Sequence, residues 1–214
     1  MLELVIKAVI AYLLGSIIGS LVVGRLFGGV DIRSEGSGNA GGTNALRTRG
    51  WKFALPVMLI DVGKGVLAAL VVARLPLPWV PEALFHPAWI AVACGAAAVI
   101  GHVWPIWFRF RGGKGMATYL GVLGVLAWPV LVMALLVWMI VLVLTGYVGL
   151  ATMIAAAAVA IYSLLITGFA PLFWFGLVMA LFIVFTHRTN VARLRDGTEY
   201  RFEKAMLFKR VLGD

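Results

Sequence analysis

Between Gly115 and His187 the chain runs for 73 residues without a single aspartate, glutamate, lysine or arginine. A water-soluble domain carries roughly 25% charged residues to cover its surface. Here the figure is 13% over all 214 residues, against 63% hydrophobic. Most of the surface must face something other than water, and a bilayer is the economical partner. The chain reads as an all-α polytopic membrane protein.

Three further apolar segments precede that run, at about 3–28, 53–74 and 86–108. Each can supply the ~20 residues that cross a hydrocarbon core of about 30 Å. The first does not read as a cleaved signal peptide: Glu3 precedes it, its apolar stretch is too long, and no A-x-A-like site follows. The uncharged run is punctuated at Trp128-Pro129, at Thr145-Gly146 with Gly149 nearby, and from Gly168 to Pro171. Membrane helices tolerate proline and glycine, so these breaks alone carry little weight. Charge parity adds to them. The basic loops at about 30–52 and 109–114 both follow odd-numbered spans, and the tail from Arg188 is also basic. Putting that tail on the same face requires an even number of crossings after Lys114. Two of ~36 residues are too long for a bilayer, whereas four of ~17 fit with tight turns.

The expectation is therefore a seven-transmembrane-helix bundle, N-terminus outside and C-terminus cytoplasmic, forming one integral membrane domain over 1–214. Its last four spans fall at about 115–128, 130–145, 149–166 and 170–186, followed by a basic cytoplasmic tail at 188–214. Fifteen of the 18 lysines and arginines gather on the inner face, from Arg25 and Arg33 to Lys209 and Arg210. Only Lys7 and Arg74 lie near the other face, and Lys64 falls inside a span. This is the positive-inside bias of a protein of an inner or plasma membrane. The same distribution argues against a nucleic-acid partner despite a net charge of +9, because the cations sit only in gaps between apolar runs. Cys94, the lone cysteine, excludes an intramolecular disulfide, a cysteine metal cluster and a Cys-x-x-Cys redox site.

The loops are not featureless connectors. The first contains Gly36-Ser37-Gly38-Asn39-Ala40-Gly41-Gly42-Thr43-Asn44-Ala45-Leu46-Arg47. Its glycines expose backbone N–H groups and permit the positive φ angles of an anion nest. Ser37, Asn39, Thr43 and Asn44 add short polar arms, and Arg47 can fork onto phosphate oxygens. A flexible glycine-serine linker is the bland alternative. Gly36, Gly38 and Gly41 also satisfy G-x-G-x-x-G, but a membrane span precedes them where a dinucleotide fold needs a strand.

The second loop, Phe108-Arg109-Phe110-Arg111-Gly112-Gly113-Lys114-Gly115, offers another anion-binding element ahead of a helix N-terminus. It is not a Walker A loop, since Gly115 stands where Ser or Thr should hold magnesium and Phe108 replaces the first glycine. No nucleotide partner follows. For Arg109 and Arg111 an aromatic-basic interfacial anchor is an equally good account. The third element is Thr186-His187-Arg188-Thr189-Asn190, then Gly197-Thr198-Glu199. His187 and Asn190, three apart, share a helix face, although a histidine at a membrane boundary is more often interfacial than catalytic. Asp61 and Lys64 lie at i, i+3 inside the second span. Intramembrane charges cost about 2.5–3.5 kcal/mol each on insertion scales, so a mutual ion pair that fixes packing is the first reading and a substrate contact the second.

Phosphate-type sites on one face of a helical bundle suggest a small phosphate-bearing substrate presented beside lipid. Hydrolytic machinery is missing: there is no G-x-S-x-G elbow and no His-x-x-x-x-Asp. Acidic residues are too few in the loops for a dense magnesium site, and no metal or other cofactor is called for.

The Gly36-Ser37-Gly38-Asn39…Thr43-Asn44…Arg47 loop, Asp61-x-x-Lys64-Gly65, Gly101-His102-x-x-Pro105, Gly112-Gly113-Lys114-Gly115-x-Ala117-Thr118 and His187-Arg188-x-Asn190…Gly197-Thr198-Glu199 together resemble the bacterial acyl-phosphate:glycerol-3-phosphate acyltransferases. The resemblance covers essentially the whole chain, in order and with comparable spacing. It implies acyl transfer from acyl phosphate to the 1-hydroxyl of glycerol 3-phosphate, yielding lysophosphatidic acid and phosphate in phospholipid synthesis, without a covalent enzyme intermediate. It places the active site on the cytoplasmic face of the bacterial inner membrane, with the bilayer as the other partner. By that match Ser37, Gly38, Asn39, Thr43 and Asn44 cradle the acyl-phosphate group. Arg47 and Lys114, with Gly112 and Gly113, hold phosphate charge, and His187 and Asn190 bind glycerol 3-phosphate. The proton acceptor is His187 or a substrate phosphate oxygen. All three clusters should then face one pocket. A small organic-phosphate transporter is the rival reading, although it should show duplicated halves and charge at the midplane. A structural scaffold predicts that Ser37, Asn39 and Lys114 tolerate alanine.

Overall fold

The computed structural model describes residues 1–80 and 85–206. All regular structure among these residues is helical. The chain forms two compact units, the first from Met1 to Leu126 and the second from Ala127 onward.

In the first unit, α1 (Leu2–Gly15) and α2 (Gly19–Leu26) are two halves of one apolar segment, bent by 41° at residues 16–18. A two-turn α3 (Gly42–Arg49) follows, then α4 (Trp51–Leu70), α5 (Pro87–Val103) and the short α6 (Met116–Leu126). α1 packs chiefly on α5, and α4 on α6. A Cβ on Gly15 would strike the Ala98 carbonyl oxygen, and one on Gly101 the Tyr12 oxygen. Small residues let these backbones touch where lipid offers no hydrophobic drive for association.

The break between α1 and α2 has a local cause. The ammonium of Lys64 donates to the carbonyls of Gly15 (2.8 Å) and Ile17 (2.6 Å), while Asp61 Oδ1 accepts from the Gly19 amide (3.1 Å). A cation thus meets the carbonyl end of α1 and an anion the amide end of α2, each matched to its helix dipole. The two charges also pair with each other at 3.1 Å. The intrahelical ion pair read from their spacing is present, and it satisfies backbone groups that would otherwise be orphaned in the bilayer.

The second unit contains α7 (Trp128–Thr145), α8 (Val148–Thr167), α9 (Pro171–Thr186) and α10 (Arg188–Arg195). Alanine-rich α8 is the middle helix, buried at Ala151, Ala155, Ala156 and Val159 and packed on both α7 and α9. The punctuation marks of the uncharged run are all helix ends. Pro129 lies in the first turn of α7 and Pro171 opens α9; Gly146 and Gly168 close α7 and α8 at φ +76° and +62°. After α9 the chain turns by 56° into α10.

Among the described residues four helices can each cross a membrane by length and composition, Trp51–Arg74, Pro87–Phe108, Trp128–Thr145 and Val148–Thr167, and counting each bent pair as one span raises the number to six. The fourth of the seven expected segments is the exception. α6 has 11 residues where the sequence suggested a span over 115–128, roughly 16 Å of helix. Its start is delayed by Gly115 at φ +90°, and its end is set by Pro129, whose ring cannot accept a continuing helix. The loop expected over 30–52 also differs, since α3 and a 3-10 turn at Ile32–Ser34 occupy much of it.

An interfacial helix suggested for the tail through Phe202, Met206, Leu207 and Val211, with Lys204, Lys209 and Arg210, lies from Leu207 onward outside the described residues. Before that point the chain forms only a 3-10 turn at Glu203–Ala205. There the Phe202 amide donates to the Gly146 carbonyl (2.7 Å), and Arg201 stacks over Tyr147.

Candidate functional site

The first glycine loop is organised by one side chain. Asn44, 2% exposed, donates its amide to the carbonyls of Ile32, Glu35 and Asn39, each at 3.0 Å, and accepts from the Ser37 amide at 3.0 Å. The carboxamide has two N–H donors, and both are spent on the loop itself. Gly36 (φ +56°) lies so close that a Cβ would strike the Asn44 oxygen. Below the loop Ile32, Ala40 and Ala45 are fully buried; Ile32 and Ala45 pack with Val23 and Phe53, and Ala40 with Ile18 and Leu21. Burying an isoleucine-sized side chain is worth about 1.5–3 kcal/mol, which anchors the loop to its helices. Ser37 and Gly38 are left exposed on its rim with Asn39 half-buried, and Thr43 and Arg47 share the exposed side of α3 one turn apart.

The second loop folds back on the end of α5. The amides of Phe108 and Phe110 donate to the Pro105 carbonyl, Gly112 to Val103 (3.1 Å) and Gly113 to His102 (3.1 Å). These bonds hold Arg109 and Phe110 in the left-handed region at φ +56° and +58°, a conformation that costs a non-glycine residue about 1–3 kcal/mol and clusters at functional sites. Lys114, half-buried, emerges from this turn two residues before α6 begins.

Arg33 joins the two loops. It forks onto Asp31 (Nε–Oδ1 3.0 Å, Nη2–Oδ2 2.7 Å), and its remaining nitrogen donates to the Arg111 carbonyl (3.0 Å) and that of Phe108 (3.5 Å). The hydrogen bonds from Arg33 hold the Asp31 carboxyl below its usual 3.8. A lowered carboxylate stabilises the fold above its unfolded value and loses that contribution as pH falls through the folded one. The brace is therefore complete at neutral pH and is released only by acid. A cavity of about 630 Å³ lies between the loops, lined by Arg33, Gly38, Phe108, Arg109, Arg111 and Gly112 among others. The structure thus brings Gly38 and Gly112 to one cavity. Spacing offered no hint of Arg33 as a brace; its nearest signal is the Asp31-x-Arg33 pair.

Behind the second loop, His102 completes the buried charge cluster. Its Nδ1 lies 2.8 Å from Lys64 Nζ and 3.4 Å from Asp61 Oδ1, and all three side chains are 1–3% exposed. Among the described residues no group of three or more His, Cys, Asp or Glu side chains could hold a metal ion.

In the second unit His187, 5% exposed, sits at the α9–α10 junction with Nδ1 2.8 Å from the Ile183 carbonyl. A carbonyl only accepts, so the ring proton is on Nδ1 and the neutral ring carries its lone pair on Nε2. Asn190 is close by: its backbone amide donates to the His187 carbonyl (2.8 Å) and its side-chain amide to Glu199 Oε1 (2.7 Å). Arg193 neutralises the other carboxylate oxygen at 2.6 Å. Gly149 on α8 makes room, since a Cβ there would lie 2.8 Å from the Asn190 amide nitrogen. Glu199 therefore holds Asn190, a role that the His187/Asn190 spacing did not reveal.

Comparison with known proteins agrees along nearly the full length. The family model described as glycerol-3-phosphate acyltransferase matches residues 5–197. The glycerol-3-phosphate acyltransferase of Brucella anthropi is 42% identical over 200 residues, covering 92% of both chains. That of Rhodospirillum rubrum is 43% identical over 201 residues, covering 94% of this chain and 91% of its own. Among solved structures, PlsY, an integral membrane glycerol 3-phosphate acyltransferase, matches in its glycerol 3-phosphate form. The TM-score is 0.83 at 33% identity, over 93% of this chain and 95% of that one. Its lysophosphatidic acid form matches with a TM-score of 0.81 at 32% identity, over 92% and 94% of the two chains. With its several apolar helices this is a multi-pass membrane protein. The chain belongs to the glycerol-3-phosphate acyltransferase family and is an acyltransferase.

Proposed function

We propose that the protein transfers a fatty acyl group from acyl phosphate to the 1-hydroxyl of glycerol 3-phosphate, in one direct step that releases lysophosphatidic acid and inorganic phosphate. The observation that carries this reading is the pair of glycine loops braced by Arg33 and Asn44 around a cationic cavity. Two rigid anion sites suit a reaction whose substrates both carry phosphate. The solved PlsY structures, in glycerol 3-phosphate and lysophosphatidic acid forms, support the acceptor and product.

Acyl phosphate is a mixed anhydride with a good leaving group, so the protein's task is alignment. The acceptor hydroxyl oxygen attacks the carbonyl carbon, the bond from that carbon to the bridging phosphate oxygen breaks, and phosphate leaves with the electron pair. The hydroxyl proton passes to His187 Nε2, with a phosphate oxygen as the alternative acceptor. Ser37, Gly38, Asn39 and Thr43 cradle the donor, with Asn44 shaping that cradle from beneath. Arg47 and Lys114, on the Gly112-Gly113 turn, offset the repulsion between the two anions, and His187 and Asn190 bind glycerol 3-phosphate. Positioning of this kind supplies about 7–11 kcal/mol, and each oxyanion donor about 2.7–4 kcal/mol.

The topology that goes with this chemistry is seven spans in the bacterial inner membrane, N-terminus outside, with the loops and tail on the cytoplasmic face. α6 would be the fourth span, completed by non-helical chain at its ends. On the far face the cation Lys7 is tied to Glu3 (2.5 Å) and to the Ala73 carbonyl (3.0 Å), consistent with a face of low net charge. The broken α1–α2 segment, a feature also found in transporters, weighs little for transport here. Lys64 and Asp61 already occupy its free backbone groups.

Purified protein given palmitoyl phosphate and glycerol 3-phosphate should release one phosphate per lysophosphatidic acid formed, with or without EDTA, and should be inert with acyl-CoA. Turnover with acyl-CoA alone would overturn the donor, and uptake by proteoliposomes without acylation would overturn the enzyme reading. In the same assay Asn44→Asp should lower kcat/KM by about 10²-fold, the cost of roughly an ångström of misplacement. The new carboxylate would face three carbonyl oxygens where the amide donated to them. An Asn44→Asp enzyme with full activity would show that the loop does not shape the cradle.

A further inference from the structure

Capping the α1–α2 break accounts for Asp61 and Lys64 but leaves His102 unexplained. A third ionisable group, 2% exposed, joins the buried charge pair between apolar helices, where every such group is costly. Its surroundings show what it touches. Lys64 sends two N–H donors to Gly15 and Ile17, and its nitrogen lies 2.8 Å from His102 Nδ1. The same ring nitrogen lies 3.4 Å from Asp61 Oδ1, so the charge pair holds the Nδ1 edge of the ring and the Nε2 edge is turned away from it. The Nε2 edge presses on the second glycine loop. A Cβ on Gly113 would strike Nε2 and come within 3.0 Å of Cε1 and 3.1 Å of Cδ2. A Cβ on Gly112 would strike the His102 carbonyl, to which the Gly113 amide also donates at 3.1 Å.

We propose that His102, locked by Lys64 and Asp61, is a positioning residue for Lys114: its ring and carbonyl form the surface against which the Gly112-Gly113 turn is moulded. Lys114 is the next residue, and Gly115 at φ +90° directs the chain away into α6. The ammonium of Lys114 is thereby aimed from a rigid base. A buried charge cluster that both caps the broken helix and backs the turn gives one reason for retaining all three groups. The proposal rests on the role given above to Lys114 in holding substrate phosphate.

A double-mutant cycle tests it, read as phosphate release with palmitoyl phosphate and glycerol 3-phosphate. His102→Gln should lower kcat by tenfold or more, approaching the roughly 10²-fold cost of misplacing a group by an ångström. It should leave KM for glycerol 3-phosphate within about twofold. In a Lys114→Arg background, where the ammonium geometry is already lost, adding His102→Gln should cost less than about twofold further. Losses that multiply, the behaviour of independent sites, would overturn the proposal while leaving the function of Lys114 intact. Wild-type kcat in Lys114→Arg and Lys114→Ala would instead remove the role of Lys114, and the positioning proposal with it. If His102→Gln does not fold, Gly113→Ala presses the same contact from the other side while keeping all three ionisable side chains of the cluster. It should reproduce both the loss and its absence beside Lys114→Arg, and full activity in Gly113→Ala would overturn the proposal.

Discussion

Lys64→Met is expected to destabilise the first unit by about 3–5 kcal/mol, because it strands the buried carboxylate of Asp61 without its cation. That carboxylate is 1% exposed and pairs with Lys64 at 3.1 Å. The substitution also removes the donors to the Gly15 and Ile17 carbonyls, groups that no bilayer water can satisfy. For a chain of this size the loss corresponds to a fall of roughly 6–20 °C in Tm, measurable by thermal unfolding in mild detergent. The sign of the coupling is more informative than the size. Removing both charges, Asp61→Leu with Lys64→Met, should be milder than the sum of the single changes, since no lone charge remains. It should not restore wild-type stability, because the backbone groups at the helix break stay unpaired at about 1–3 kcal/mol each. A Tm for Lys64→Met within about 2 °C of wild type, the smallest shift expected for one kilocalorie per mole in a chain of this size, would show that Asp61 needs no cation there.

That ion pair was legible because three residues along a helix is a fixed geometry: Asp61 and Lys64 must meet wherever α4 goes. The same locality made the helix ends around Pro129, Gly146 and Pro171 readable, since proline and glycine act on their own turn. What could not be read is whatever depends on a partner distant in the chain. His102 lies 38 residues from Lys64, and Arg33 reaches Arg111 across 78. No periodicity or motif spacing encodes either contact. The left-handed backbone at Arg109 and Phe110 is hidden for a related reason, because nothing in a non-glycine side chain announces it and only the bonds back to α5 impose it. The short α6 is hidden because an equal share of uncharged residues is available to each crossing. Hydropathy counts the residues available to a span, whereas Gly115 and Pro129 decide how many of them are helical.

His187→Gln is the other change of large expected effect, a loss of about 10²–10⁴ in kcat if the imidazole accepts the acceptor hydroxyl's proton. The tautomer of the ring suits that role. With Nδ1 committed to the Ile183 carbonyl at 2.8 Å, the neutral ring keeps its basic lone pair on Nε2, and the same bond stabilises the ring once it is protonated. Glutamine can replace a hydrogen bond to glycerol 3-phosphate but cannot take up a proton, so the substitution separates binding from base chemistry. A base should show as a fall in kcat and the loss of the limb on which the wild-type rate rises with pH. A binding residue should show as a raised KM for glycerol 3-phosphate with kcat largely kept. The second pattern would dismiss His187 as the base and leave the proton to a phosphate oxygen of the substrate. In that case Glu199→Gln, which weakens the hold on Asn190 at 2.7 Å, should mimic His187→Gln by raising the same KM, since both would act on binding alone.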